Sequence, residues 1–173
     1  PGHHAEPDGG MGFCLLNNLA LAVEDLVQSY NAQRLAIVDL DLHHGNGVQK
    51  AFYRRGDVLY ISTHQSPFYP GTGSINETGE GFGGMSTCNL PLPAYSGDIA
   101  FQTAMRQVIL PLFSRFQPQM VLVSVGFDAH WRDPIGYLRL SAGMYSQLIR
   151  DLTAWADDHC HGKIALILEG GYD

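Results

Sequence analysis

The nine residues Asp39-Leu40-Asp41-Leu42-His43-His44-Gly45-Asn46-Gly47 bring together two carboxylates, two imidazoles and two glycines. Side chains alternate along extended backbone, so Asp39, Asp41 and His43 project to one side. Three such groups on one face are costly to bury unless hydrogen bonds or a cation satisfy them. Asp41 and His43 suit a borderline divalent metal, and Asp128, after a separate apolar run, is the candidate third ligand. One imidazole and two carboxylates leave a coordination position open, as a catalytic zinc site requires, and the same set accepts Fe2+ or Mn2+. An isolated Asp-x-His is more often a loop whose side chains cap the next helix. The second aspartate, the distant Asp128 and the pair His3-His4 reverse that balance.

Adjacent histidines such as His3 and His4 are often solvated and inert. Metal-assisted amide hydrolysis, however, needs a group that takes a proton from water and later delivers one to the leaving amine. Two imidazoles in different surroundings supply a neutral base and a charged stabiliser, with Asp39 and Asn46 as available partners. A carboxylate partner favours imidazolium, whereas an amide orients the ring and leaves its pKa lower. Tyr172 follows Gly170-Gly171, a place where a half-buried tyrosine is usually plain packing. Beside a metal site its phenol is able to donate to the oxyanion of a tetrahedral intermediate.

The elements that must hold these groups are readable from periodicity. Apolar residues between Met11 and Tyr30 recur at helical spacing, at Leu16, Leu19, Ala20, Val23, Leu26, Val27 and Tyr30. Leu35–Leu40, Val58–Thr63, Met120–Val125 and Ile164–Leu168 are short apolar runs of buried-strand type. Further helices are expected over 48–55, from a cap at Ser96 or Asp98 to about Phe116 with a kink at Pro111, and from Ser141 to about Asp158. The stretch from His64 to Ser86, with six glycines and two prolines, reads as a long functional loop. Strands alternating with amphipathic helices predict an α/β fold, a three-layer parallel sheet with helices on both faces. Ligands gather beyond the carboxyl ends of such strands. Asp39, Asp41 and His43 follow the first strand, Asp128 and His130 the third, and Glu169 and Tyr172 the fourth.

Composition narrows the class. With 45% hydrophobic and 16% charged residues, the chain is globular rather than disordered. A net charge of -7 argues against direct nucleic-acid binding. No apolar run approaches the roughly 20 residues of a membrane span, and no signal peptide opens the sequence. Cys14, Cys88 and Cys160 are odd in number and scattered, which suits free thiols in a reducing, cytoplasmic setting.

The stretches PGHHA (1–5), GGMGFC (9–14), DLDLHHGNG (39–47), FYPGTG (68–73), GFDAHWRDP (126–134) and EGGYD (169–173) span the chain in fixed order. Together they resemble the zinc-dependent histone deacetylase family of the arginase-deacetylase fold. The resemblance implies zinc on Asp41, His43 and Asp128, with Fe2+ possible. It implies His4 as general base and acid, His3 paired with Asp39 as its electrostatic partner, and Tyr172 polarising the acetyl carbonyl. Phe13 and Tyr69 match the aromatic walls of an acyl-lysine channel, Gly12 and Gly126 would let backbone approach it, and Ile135 would sit at its rim. Asp39, Asp41, His43 and Ser62 match a structural potassium site. Asn46, where class I members carry Asp, is similar to class II and bacterial members and should leave His4 less cationic. Tyr172 departs from the weakly active branch that has His there.

The implied activity is removal of acetyl groups from lysine in a protein or peptide, or from a similar small amine. Ile135, where some acetylpolyamine-specific relatives place an acidic residue, leans away from polyamines. An acetylpolyamine amidohydrolase and a non-catalytic acyl-lysine binding module are the competing expectations. The family domain is roughly twice this length, beyond the usual size for 173 residues. Residues 1–173 are therefore expected to be the central portion of a deacetylase catalytic domain, truncated at both ends.

Overall fold

The computed structural model describes all 173 residues. Five helices, α1 (Asn18–Tyr30), α2 (Asn46–Phe52), α3 (Asp98–Ala104), α4 (Leu110–Phe116) and α5 (Ala142–Cys160), accompany five strands. The strands β1 (Leu35–Asp39), β2 (Val58–Gln65), β3 (Thr87–Leu92), β4 (Met120–Val125) and β5 (Ile164–Leu168) form one parallel sheet in the order β3-β2-β1-β4-β5.

Alternation of side chains along the strands divides the core in two. Ala36, Val38, Leu59, Ile61, Val121 and Val123 face α3, α4 and α5 on one side. Leu35, Ile37, Val58, Tyr60 and Leu122 face Leu19 and Val23 of α1 and Val48 and Phe52 of α2 on the other. The result is the expected three-layer arrangement. From β1 the chain steps outward to β2 and β3, then returns to the opposite side of β1 for β4 and β5. The carboxyl ends of β1 and β4 thus flank the point where strand order reverses, the usual ligand crevice of an open parallel sheet.

Four local expectations need correction. The strand β3 interrupts what reads as featureless chain, because Asn89 and Pro91 break the apolar pattern; Pro91 is tolerated because β3 is an edge strand. The first helix begins at Asn18 rather than near Met11, since Gly12 and Phe13 adopt positive φ (55° and 63°) and Asn17 caps the helix by accepting from Ala20 N–H. The disturbance expected at Pro111 lies one turn earlier, in a π-helical stretch at Met105–Ile109, with Pro111 in the first turn of α4. Proline lacks the N–H for the preceding turn and crowds its carbonyls, so that turn widens. Finally, Gly97 rather than Ser96 or Asp98 is the residue before α3, and the Asp98 carboxylate instead accepts from Ser141 at the start of α5. No helix is long and apolar enough to cross a membrane.

Candidate metal centre and cleft

β1 ends at Asp39 and the chain continues buried through His44, so every polar side chain in this run needs an internal partner. Asp41 Oδ1 accepts from the His43 backbone N–H at 2.8 Å and lies 3.1 Å from His43 Nδ1. Asp128, just beyond β4, places Oδ2 at 3.0 Å from the same nitrogen, while its Oδ1 accepts from Leu42 N–H at 2.9 Å. Asp41 Oδ2 accepts from Gly170 N–H at 3.0 Å. One ligand atom from each of Asp41, His43 and Asp128 lies within 4.8 Å of the others, so the three form a group able to hold a metal ion.

Two buried carboxylates converging on one imidazole nitrogen are the donor set a divalent cation fits. Without a cation, a proton must keep them together. Burial opposes charge on His43, but hydrogen bonds to Asp128 and Asp41 outweigh it and raise its pKa to about 9. Burial raises Asp128 to about 6, whereas at Asp41 the neighbouring His3 and His43 outweigh burial and hold the carboxyl low. The backbone closes tightly around this cluster. A Cβ at Gly126 would overlap the Asp41 carboxylate, and one at Gly170 would overlap that of Asp128. Gly126 therefore stands against the carboxylates of Asp41 and Asp128, and it is absent from the lining of the cleft.

The paired histidines meet this cluster from the opposite end of the chain. Backbone N–H groups of Gly2 and His3 donate to the Glu169 carboxylate beyond β5, and His3 carbonyl accepts from Val48 N–H of α2. His3 Nδ1 lies 3.0 Å from Asp39 Oδ2, which also accepts from the Tyr60 hydroxyl at 3.0 Å. Burial disfavours charge on His3, yet Asp39 and Asp41 overcome it and raise the pKa to about 10. His4 Nδ1 lies 2.8 Å from Asn46 Oδ1, and its ring centroid is 4.1 Å from that of His3. Burial and the charge on His3 lower His4 to about 4. Two adjacent imidazoles are thereby shifted in opposite directions.

A narrow cleft of about 50 Å³ is lined by His3, His4, Asp41 and His43 together with Gly12, Phe13, Tyr69 and Tyr172. Phe13 stands out from the surface at 84% exposure, and the Tyr69 ring lies 5.2 Å from His4 and 6.0 Å from His43. Gly12 is held to glycine twice over, by its positive φ and because a Cβ would overlap the His4 ring. Burial and the Asp128 and Asp41 carboxylates raise the Tyr172 hydroxyl to about 12, which keeps it a donor.

Ile135 is exposed, with its backbone N–H donating to Asp133, and does not line the cleft. Ser62 pairs in register with Asp39 across β1 and β2, and its hydroxyl lies 2.9 Å from His64 Nδ1. His130 lies tilted against Trp131, with ring centroids 5.6 Å apart, and takes no part in the cluster. Sequence reasoning overlooked Tyr60, Gly170 and Asp133, whose carboxylate accepts from the backbone N–H of both Ile135 and Tyr172. Gly170 and Asp133 each left a signal, in the stretches EGGYD and GFDAHWRDP; Tyr60 looks like any core residue of an apolar strand.

The same chain is similar to known proteins along its whole length. Residues 1–173 match the family described as Histone deacetylase domain. It is 44% identical over 173 residues to Histone deacetylase 14, chloroplastic, of Arabidopsis thaliana, covering 100% of this chain and 41% of that one. A Probable deacetylase of Archaeoglobus fulgidus is 46% identical over 99% of this chain and 48% of its own length. The Histone deacetylase-like amidohydrolase of Pseudomonas aeruginosa is 39% identical, over 99% and 46% respectively. The crystal structure of the HDA15 HD domain superposes with a TM-score of 0.91 at 41% identity, over all of this chain and 49% of that one. The chain thus spans about half the length of the curated relatives it matches. With the Asp-His-Asp cluster, the paired histidines and the cleft tyrosine in one crevice of the matching fold, the chain belongs to the histone deacetylase domain family.

Proposed function

We propose that this chain carries the catalytic centre of a metal-dependent deacetylase that hydrolyses the acetyl amide of lysine side chains or similar amines. The observation that carries the reading is a buried Asp-His-Asp group facing two imidazoles across one cleft, one ring beside a carboxylate and the other beside an amide. A divalent cation, zinc first and Fe2+ second by ligand type, would be held by Asp41, His43 and Asp128, and would polarise the acyl oxygen and acidify water there.

The chain's own groups supply the rest. With Nδ1 engaged by Asn46, His4 keeps Nε2 free to accept a proton from the attacking water and to return one to the leaving amine. His3, charged and held by Asp39, offsets negative charge that develops in the cleft. Tyr172 donates its hydroxyl proton in a hydrogen bond to the oxyanion, and the exposed rings of Phe13 and Tyr69 flank the alkyl stem of the substrate. A structural potassium ion beside Asp39, Asp41, His43 and Ser62 belongs to the same reading, as does a cytoplasmic setting for three free cysteines.

The test is metal analysis with turnover of an acetyl-lysine peptide and of N-acetylputrescine by the full-length protein. His4→Ala is expected to slow turnover at least ~100-fold with metal retained, the scale for losing a general acid-base. Asp128→Ala is expected to lose the metal, and Tyr172→Phe to lose rate without losing metal. Near-full activity in His4→Ala and Asp128→Ala would overturn the assignment. Preference for the small amine would move the substrate to polyamines.

A further inference from the structure

The two faces of the Asn46 side chain differ sharply. Its Oδ1 meets His4 Nδ1 at 2.8 Å. Its Nδ2 meets Glu6 Oε1 at 2.8 Å, Met11 Sδ at 3.2 Å and the His4 carbonyl at 3.4 Å, all of them acceptors. An amide turned through 180° would set its oxygen against these three, and most unfavourably against the carboxylate. The orientation matters because an amide oxygen beside Nδ1 selects the Nδ1–H tautomer, whereas an amide nitrogen would select the opposite one. Only the first leaves Nε2 with a lone pair.

Glu6 is itself held. Its backbone pairs with that of Gly9 at 2.9 and 3.3 Å, and its Oε2 receives Lys50 Nζ at 2.7 Å. Lys50 and Asn46 together keep its carboxyl below the usual range, so it stays an acceptor. A polar pocket of about 350 Å³ opens onto Glu6, Asn46 and Lys50, so water would reach the amide if the carboxylate were lost.

We propose that Glu6 is a positioning residue whose carboxylate fixes the Asn46 amide and, through it, the Nδ1-protonated tautomer of His4. The inference rests on the reading of His4 as the acid-base group. Two oxygens are essential to it, one for Lys50 and one for Asn46. In Glu6→Gln the single oxygen is drawn to Lys50, and the new NH2 turns toward Asn46 and favours the flipped amide. Asn46→Asp alone sets two carboxylates face to face. Combined with Glu6→Gln, the introduced carboxylate accepts from the new amide with one oxygen and from His4 Nδ1–H with the other.

The experiment uses the metal-loaded full-length protein, with peptide kinetics and the 15N shifts of the His4 ring nitrogens. Glu6→Gln is expected to lower kcat about tenfold, a fraction of a general acid-base loss, with KM little changed and His4 shifted toward Nε2–H. Adding Asn46→Asp is expected to restore the Nδ1–H signal and to raise kcat above either single variant. Asp8→Asn, which shares Lys50 but does not touch Asn46, is expected to change neither. The proposal is overturned if Glu6→Gln leaves kcat and the His4 tautomer as they were, or if the double variant is no better than the poorer single. Should the unaltered protein fail to turn over the peptide, the deacetylase reading falls, while the ring shifts still decide the role of Glu6.

Discussion

At the scale of single residues, the proposed cation would compete with a proton at His43. In the metal-free chain its pKa is raised to about 9 and that of Asp128 to about 6. Coordination needs the imidazole nitrogen and both carboxylates free of protons. Binding must therefore expel the His43 proton below about pH 9, and the Asp128 proton as well below about pH 6. Both protons are held by the metal-free state and absent from the bound one, so metal affinity rises with pH through both ranges. Titration calorimetry in buffers of different ionisation heat is expected to read about one proton released per cation near pH 7.5, and more below about pH 6. Affinity that does not change with pH would show that the cation sits elsewhere.

Among the elements, α5 is tied to α3 by a contact that neither helix shows alone. The Asp98 carboxylate accepts from Ser141 N–H at 2.8 Å and from its hydroxyl at 2.7 Å, while Ser141 Oγ accepts from Met144 N–H at 3.1 Å. Ser141→Ala should cost about 1 kcal/mol, the usual scale of an N-cap. Asp98→Ala should cost a similar amount, since it leaves Ser141 unsupported. Because the two share one network, the double variant is expected to lose less than the sum of the singles. Denaturant midpoints of the four proteins measure this, and strict additivity would mean that Asp98 acts independently of the cap. α5 was legible from its period and from Ser141, but the second anchor was not. Asp98 and Ser141 are neighbours only because both helices pack on one face of the sheet.

For the molecule as a whole, the sheet edges differ in character. β3 closes one edge with Pro91 and Asn89, residues that discourage further pairing. β5 forms the other with Leu166 and Leu168 exposed at 47% and 66%. An exposed apolar edge strand is a template for association with another chain. A polypeptide of these 173 residues is therefore expected to self-associate in light scattering, and Leu168→Lys to reduce it. A stable monomer before substitution would show that the β5 edge is protected in some other way.

The sequence by itself determined four apolar strands and the parallel three-layer fold, and it supplied the candidate residues of the site. Buried strands and clustered carboxylates and imidazoles impose residue types at short range, and Asp39, Asp41 and His43 lie within one stretch. Only the tertiary structure decided which atoms meet. It brought Asp128 to His43 across the neighbouring strands β1 and β4, and it seated the N-terminal loop so that His4 meets Asn46 and His3 meets Glu169. It also moves the pKa values of His3 and His4, identical and adjacent in sequence, in opposite directions, as their candidate partners suggested. That difference comes from a carboxylate beside one ring and an amide beside the other, within a core that admits little water.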